Sequence, residues 1–249
     1  MKRDKLADLI RWKESRERKP LILRGARQTG KTWLLKEFGK SHFRDLVYIN
    51  FEETPSLRNI FVSDFSIPRI INILQIQSQK DIDPEETLIV FDEIQSAAHG
   101  LTSLKYFCEN APYYYVIAAG SLLGMGLHKG ESFPVGKVEF LELGPMSFTE
   151  FLEAINEGGL ADLIRKRDWE TISVFHDRLM DYLKHYMFTG GMPEVVNSFC
   201  TNKDWELVRK IQHQILNSYA GDFSKHAPIA LFSCEFFQYN FADGLSYGK

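Results

Sequence analysis

The residues with the clearest chemistry are two glycines, a lysine and a threonine at fixed spacing in GARQTGKT, residues 25–32. Gly25 and Gly30 allow the backbone to take positive φ angles and to approach an anion closely. Successive amide hydrogens can then line a concave nest. Lys31 can reach the β- and γ-phosphates of a nucleotide, and the Thr32 hydroxyl can bind Mg²⁺. The alternative interpretation is a glycine-rich turn with an exposed lysine.

The neighbouring residues predict the two elements that this motif needs. The apolar run at 20–24 predicts a short buried strand, and residues 32–40 predict a helix that stops at Gly39. Such a helix directs the positive end of its dipole into the loop. The predicted nucleotide-binding residues are Gly25, Ala26, Arg27, Gln28, Thr29, Gly30, Lys31, Thr32 and Trp33.

Two carboxylates end a second apolar run, TLIVFDE, at residues 87–93. We call residues 25–32 the phosphate loop. If the second run is a strand beside the strand that leads into this loop, Asp92 would bind Mg²⁺, and Glu93 would polarise the attacking water as the general base. A buried strand end with two carboxylates is costly unless cations compensate for them, and Mg²⁺ and Lys31 would supply that charge. A solvated strand end with two acids is the alternative.

A third apolar run, residues 113–121, ends in Ser121. A polar residue at this strand tip would lie between the two motifs and could contact the γ-phosphate or the water. Ser121 is therefore a third candidate catalytic residue, with Lys31 and Glu93. Its alternative role is to cap the next short helix.

Strands and helices alternate along residues 20–144. Further strands are predicted at 45–52 and 137–144, and helices at 67–77 and 101–109. Several of the strands are apolar at consecutive positions, which is typical of strands covered on both faces. The pattern predicts a three-layer α/β/α fold with a mostly parallel sheet.

Helical patterning follows this part of the chain. Ser147 with Glu150 three residues later predicts a capping box, and apolar residues recur at helical spacing in 174–188 and in 205–223. The predicted organisation is an N-terminal helix in 1–19, an α/β core in 20–144, a helical lid-like region in 145–226 and an irregular, Phe-rich tail in 227–249.

The first of these segments is strongly basic. Residues 2–19 are rich in Lys and Arg, and their apolar side chains fall roughly on one helical face: Leu6, Leu9, Ile10 and Trp12. This pattern predicts an amphipathic helix with a solvated charged face.

The whole chain of 249 residues has an average composition, with 44% hydrophobic and 25% charged residues. A net charge of −3 argues against strong nonspecific binding to nucleic acid. Cys108, Cys200 and Cys234 lie far apart and predict reduced thiols rather than a disulfide framework. No run is long enough to span a membrane, and the charged N-terminus is unlike a signal peptide, so we expect a cytoplasmic protein.

Taken together, these motifs resemble the uncharacterised prokaryotic AAA-type P-loop ATPases, which are related to the archaeal ATPase and STAND groups. The resemblance extends over about residues 10–226. It rests on the motifs GARQTGKT, LIVFDEIQ and AAGSLLG and on two more specific stretches, VEFLELGPMSFTEFL and YMFTGGMPEVV. It implies ATP and Mg²⁺ as ligands, an AAA+-like core followed by a helical region, and Ser121 as the sensor-type polar residue.

Three further features follow from the resemblance. Gly191-Met192-Pro193 matches a Gly-x-Pro motif that lies against the nucleotide, although a helix–turn–helix junction explains it equally well. Gly136-Lys137 stands where family members commonly have Gly-Arg, and lysine lacks the planar fork that can clamp a phosphate. Family members usually continue into a second domain, so we expect the chain, which ends at Lys249, to be a truncated or frame-shifted member.

Two functions are compatible with these residues. The first is a Mg²⁺-dependent ATPase that drives or switches the interaction with an unidentified protein partner, and the second is a nucleotide-binding switch with little hydrolysis. A GTPase is disfavoured because Trp205 in TNKDW, residues 201–205, stands where a guanine-reading carboxylate belongs. A small-molecule kinase is disfavoured by the Asp92-Glu93 pair. The sequence shows no DNA-reading motif and does not identify the client or the oligomeric state.

Overall fold

The computed structural model describes residues 1–121 and 134–226. At the centre of the chain is a parallel sheet with its strands in the order β2-β3-β4-β1-β5. The strands are β1 (Leu21–Gly25), β2 (Asp45–Asn50), β3 (Thr87–Asp92), β4 (Tyr115–Ser121) and β5 (Glu139–Glu142). Because the strands are parallel, the segments that follow β1 and β3 leave the same edge of the sheet.

Helices cover both faces of the sheet, which explains the apolar runs in the sequence. On one face, α1 (Leu6–Glu14) and α2 (Lys31–His42) pack against Leu21 and Leu23 of β1. On the other face, α3 (Ile67–Ser78) and α4 (Gly100–Asn110) pack against Ile22, Ile89 and Phe91. This arrangement confirms the predicted three-layer fold.

Helix α2 differs from the prediction because it does not stop at Gly39. The helix continues to His42, and Gly39 is buried inside it. A Cβ atom at Gly39 would lie 2.9 Å from Leu46 Cδ1. The glycine therefore allows α2 to pack closely on the start of β2 and does not end the helix.

The helical region follows β5 directly. It consists of α5 (Phe148–Ala154), α6 (Gly158–Lys166), α7 (Trp169–Val174), α8 (His176–Thr189), α9 (Pro193–Asn202) and α10 (Trp205–His226). Its own core contains Phe151 of α5, Val195 of α9 and Val208 of α10. The predicted capping box begins α5, where Ser147 and Glu150 exchange both of its hydrogen bonds.

Two parts of the predicted organisation lie outside the described residues. These are the Phe-rich tail from residue 227 onward and the residues that follow Ser121 in the AAGSLLG motif. Helix α1 is shorter than the segment 1–19 in which the sequence predicts it, since it covers only Leu6–Glu14, and both Leu9 and Trp12 on its apolar face are buried.

Candidate functional site

The loop between β1 and α2 has a backbone that requires glycine. A Cβ atom at Gly25 would lie 2.2 Å from the carbonyl oxygen of Leu143, a distance that no side chain tolerates. Gly30 has a φ of +89° and Gln28 a φ of +64°, whereas Gly25 does not have the positive φ that the sequence predicts and is needed for the close approach alone. Left-handed residues alternating with ordinary ones produce the concave backbone that binds anions. The loop is buried at Thr29, exposed at Gln28 and partly exposed at Ala26 and Arg27.

Lys31 is the first residue of α2 and lies buried behind this loop. Its Nζ donates hydrogen bonds to the carbonyl oxygens of Gly25 at 3.0 Å and Ala26 at 2.8 Å. Burial lowers the pKa of Lys31, while the carboxylates of Glu93 and Asp92 act in the opposite direction. The ammonium group is therefore poorly solvated and close to the nest, where an anion would compensate for its lost hydration.

Asp92 joins the second motif to the first. It is buried, and its Oδ2 accepts a hydrogen bond from Thr32 Oγ1 at 3.0 Å. The same oxygen accepts a bond from the Tyr48 hydroxyl, and Oδ1 accepts one from the amide of Glu93 at 3.0 Å. A hydroxyl and a carboxylate in contact are oxygen donors of the kind that Mg²⁺ prefers, so Thr32 and Asp92 fit that ion.

Glu93 follows Asp92 and has a left-handed backbone with a φ of +49°. Burial raises the pKa of its carboxyl, and the neighbouring Asp92 raises it further, whereas a hydrogen bond from Gln95 lowers it. In that bond, Gln95 Nε2 donates to Glu93 Oε2 at 2.5 Å. Both the strained backbone and the raised pKa are common at functional sites.

The strand order corrects one expectation from the sequence. The strand that ends in Asp92 is not beside the phosphate-loop strand, because β4 lies between β3 and β1. The two motifs still meet at the carboxyl edge, since the first turn of α2 carries Thr32 across to Asp92. Ser121 at the end of β4 pairs in register with Gly25, and its side chain lies outside the described residues.

Three side chains from distant segments surround the loop. Arg3 Nη1 donates to the carbonyl oxygen of Thr29 at 2.6 Å, and the Tyr219 hydroxyl donates to that of Arg27 at 2.7 Å. A methyl group at Gly30 would lie 3.6 Å from both Arg3 Nη1 and Pro193 Cγ. Pro193 of the Gly-x-Pro motif is thus beside the loop, at the start of α9.

The two stretches VEFLELGPMSFTEFL and YMFTGGMPEVV contact each other. The amide of Met146 donates to the carbonyl oxygen of Gly191 at 2.6 Å, and a Cβ atom at Gly191 would lie 2.3 Å from the Met146 oxygen. Gly190 next to it has a φ of +68°. The pair of glycines therefore lets the turn before α9 lie directly on the segment between β5 and α5, which places Pro193.

Lys137 and the side chain of Trp33 lie outside the contacts described above, whereas the backbone of Trp33 belongs to the first turn of α2. Lys137 precedes β5, at the edge of the sheet opposite to the loop, and forms an ion pair with Glu109 at 2.9 Å. Trp33 points outward from α2 and is 43% exposed. The sequence reasoning missed Arg3, Tyr48, Gln95 and Tyr219. Only Gln95 had a signal, because it belongs to the quoted LIVFDEIQ motif.

The fold and this site define the class of the protein as an AAA-type P-loop protein. The chain belongs to the AAA domain family, which its residues 17–152 match. Residues 180–234 match a second family that is described only as a domain of unknown function. Nucleotide binding of the ATPase type is the activity that this family suggests.

A curated relative is an uncharacterized protein of Methanocaldococcus jannaschii, 28% identical over 177 residues. The match covers 70% of this chain and 35% of that protein, so the chain spans only part of its relative. Among solved structures, the chain is similar to the Aeropyrum pernix ORC1 protein in complex with DNA, with 14% identity, 64% of this chain and 50% of that chain covered, and a TM-score of 0.38. It is also similar to Drosophila ORC bound to DNA, with 15% identity and a TM-score of 0.38. That match covers 86% of this chain and 67% of the Drosophila chain.

Within residues 1–121 and 134–226, no helix combines the length and the apolar character that crossing a bilayer requires.

Proposed function

We propose that this chain binds ATP together with Mg²⁺ and hydrolyses it slowly. The observation that carries the proposal is the 3.0 Å hydrogen bond between Thr32 and Asp92, with the buried Lys31 ammonium beside the same loop. A phosphate-binding loop, a cation and a pair of oxygen ligands thus converge on one edge of the sheet. This combination suits a nucleoside triphosphate better than it suits a singly charged anion.

ATP binding uses Lys31, whose ammonium group forms hydrogen bonds within the protein when no nucleotide is bound. Lys31 Nζ exchanges its bonds to the carbonyl oxygens of Gly25 and Ala26 for bonds to phosphate oxygens. The amide hydrogens of the loop and the first turn of α2 bind the remaining oxygens. Thr32 and Asp92 would hold a Mg²⁺ ion, which would neutralise charge on the phosphates.

Hydrolysis depends on Glu93. Its carboxylate accepts a proton from the attacking water through an oxygen lone pair that the hydrogen bond from Gln95 to Oε2 leaves available. Ser121, at the end of β4 beside Gly25, orients the water or the γ-phosphate. Pro193 packs beside the loop from the helical region and excludes water from that side.

Equilibrium binding of ATP to purified Lys31→Ala tests the first step. We expect a loss of about tenfold to a hundredfold in affinity, because charge-assisted hydrogen bonds contribute about 1.5–3 kcal/mol. Lys40→Ala is the matched control, since Lys40 is an exposed lysine of the same helix. Equal affinity of the Lys31 variant and the wild type would refute nucleotide binding by this loop.

Phosphate release by Glu93→Gln tests the second step. The amide keeps the size of the side chain but cannot accept the proton, so we expect turnover to fall by about a hundredfold or more with ATP affinity retained. A variant that hydrolyses ATP at the wild-type rate would exclude Glu93 as the base. Phosphate release with GTP in place of ATP measures whether the site prefers adenine or guanine nucleotides.

A nucleotide-dependent switch is the second candidate, and the contact between Gln95 and Glu93 favours it. The 2.5 Å hydrogen bond from Gln95 Nε2 to Glu93 Oε2 holds the carboxylate and lowers its pKa, so we expect slow hydrolysis by the free chain. In this case nucleotide binding alone would change the surface offered to a protein client. Gln95→Ala distinguishes the candidates: faster phosphate release indicates a restrained ATPase, and undetectable release in both proteins indicates a switch. The existence of a protein client and a cytoplasmic location stay predictions from the sequence, which does not identify the client.

A further inference from the structure

Arg3 has an environment that its position in a basic segment did not suggest. The residue precedes α1, is 5% exposed and uses all three guanidinium nitrogens. Nη1 donates to the carbonyl oxygen of Thr29 at 2.6 Å, Nη2 to that of Gly144 at 2.7 Å, and Nε to Glu150 Oε1 at 3.1 Å. One side chain therefore joins the phosphate loop, the segment after β5 and helix α5.

Glu150 completes this junction. Its Oε1 also accepts a hydrogen bond from the amide of Asp4 at 2.7 Å, while its Oε2 accepts the capping-box bond from the amide of Ser147 at 2.8 Å. The Arg3 and Glu150 side chains are each 4% exposed. A buried ion pair stabilises a fold only when its remaining donors and acceptors are satisfied, and here the partners come from three separate segments.

The geometry of the peptide bond connects Arg3 to the anion nest. In a planar trans peptide the carbonyl oxygen and the following amide hydrogen point in opposite directions. A hydrogen bond from Arg3 to the Thr29 oxygen therefore fixes the Gly30 amide so that it points away from Arg3. Gly30 has a φ of +89° and no side chain of its own that could hold this peptide.

We propose that Arg3 is a positioning residue, which holds the phosphate loop in its binding conformation and couples it to α5 of the helical region. The coupling to nucleotide binding rests on the proposed function, whereas the effect on loop conformation does not. Lysine cannot replace arginine here, since a single ammonium lacks the planar fork that reaches three acceptors in fixed directions.

Arg3→Lys is the test variant and Arg165→Met is its matched control. Arg165 binds the same N-terminal junction, through Asp4 at 2.9 Å and Glu153 at 2.6 Å, and is only partly buried. Two quantities are measured for each protein: the affinity for Mg²⁺-ATP, and amide hydrogen exchange of residues 25–32 without any ligand. For Arg3→Lys we expect about tenfold weaker binding and faster exchange in the loop, and for Arg165→Met no change in either.

The outcomes separate this proposal from the proposed function. If neither the wild type nor the two variants bind ATP, but the loop amides of Arg3→Lys exchange faster than those of the wild type, the proposed function fails and the positioning role stands. If Arg3→Lys matches the wild type in loop exchange, the positioning role is overturned. If Arg165→Met produces the same changes as Arg3→Lys, the effect belongs to the whole N-terminal segment, and the assignment to Arg3 is wrong.

A measurement on the wild type applies if Arg3→Lys does not fold. Mg²⁺-ATP should slow exchange at residues 147–151 of the capping box, which the Arg3–Glu150 pair connects to the loop, and leave α6 residues 158–166 unchanged. The experiment is done at a Mg²⁺-ATP concentration at which calorimetry shows binding; equal responses of both segments, or protection of neither, would then overturn the coupling, whereas absence of binding would refute the proposed function instead.

Discussion

At the scale of single residues, the phosphate loop exists because two backbones approach each other more closely than any side chain allows. Gly25 ends β1 directly against the carbonyl oxygen of Leu143, which follows β5. The amide of Leu143 in turn donates to the oxygen of Arg24 at 2.8 Å. The entrance to the loop is therefore fixed by the neighbouring strand, independently of any ligand.

This contact leads to a stability prediction. Gly25→Ala places a Cβ atom 2.2 Å from the Leu143 oxygen, so the strand ends must separate, and we expect unfolding free energy to fall by about 1–3 kcal/mol. Gly158→Ala is the control, because a Cβ atom at Gly158 meets nothing within 4 Å. We expect that change to be neutral or stabilising by up to about 1 kcal/mol. Urea unfolding measures both, and equal stability of the two variants would refute the argument.

The residues that sequence reasoning found and those that it missed differ in the kind of partner they have. Lys31, Thr32 and Asp92 act through side chains whose types and spacing are visible in the sequence. Arg3 and Tyr219 act through backbone carbonyl oxygens of the loop, which every residue has. No residue type identifies such an acceptor, so these two side chains look like ordinary members of a basic segment and an amphipathic helix.

At the scale of elements, the apolar runs were sufficient to place the strands, but not to order them. Parallel strands with similar composition can exchange places without changing the pattern, and the insertion of β4 between β3 and β1 depends on the crossovers. The capping box at Ser147 and Glu150 was predictable because both partners are local.

The hydrogen bonds between α8 and the residue before α6 give a prediction of how stability depends on pH. Glu157 precedes α6 and accepts hydrogen bonds from the Tyr182 hydroxyl, at 2.6 Å, and from Arg178 of α8. The bond from Tyr182 and then Arg178 lower the pKa of Glu157 below its ordinary value of 4.5. Folding thus favours the charged form, and the stabilisation is present above pH 4.5 and disappears as the pH falls through the lowered pKa.

Glu157→Gln removes this charge while it keeps the shape. We expect the variant to be less stable than the wild type by up to about 1 kcal/mol near neutral pH, with the difference vanishing as the pH falls below 4.5 and through the lowered pKa of Glu157. Urea unfolding across that range measures it. Glu170→Gln, at an exposed carboxylate of α7, should show no such trend. A difference that grows as the pH falls would contradict the assignment.

At the scale of the whole molecule, the α/β core and the helical region have separate apolar cores that meet at the phosphate loop. Pro193 lies beside Gly30, Arg3 connects Thr29 to Glu150, and the Tyr219 hydroxyl reaches back from α10 to the Arg27 oxygen. A change of loop conformation must therefore alter contacts with several helices. This is the structural requirement for a nucleotide-dependent change in the helical region.

Two tyrosines of the helical region allow this requirement to be tested with a balanced pair of variants. The Tyr219 hydroxyl donates to the loop carbonyl of Arg27 at 2.7 Å, and the Tyr186 hydroxyl donates to the carbonyl of Met146, outside the loop, also at 2.7 Å. Both tyrosines are partly buried, so Tyr219→Phe and Tyr186→Phe should each lower the unfolding free energy by about 1 kcal/mol. Only Tyr219→Phe should also weaken ATP binding, by about threefold to tenfold, because it releases the peptide before Gln28. Calorimetry measures ATP binding, and urea unfolding measures stability. If Tyr186→Phe loses as much affinity for ATP as Tyr219→Phe, then general loosening of the helical region, rather than the contact with the loop, controls nucleotide binding.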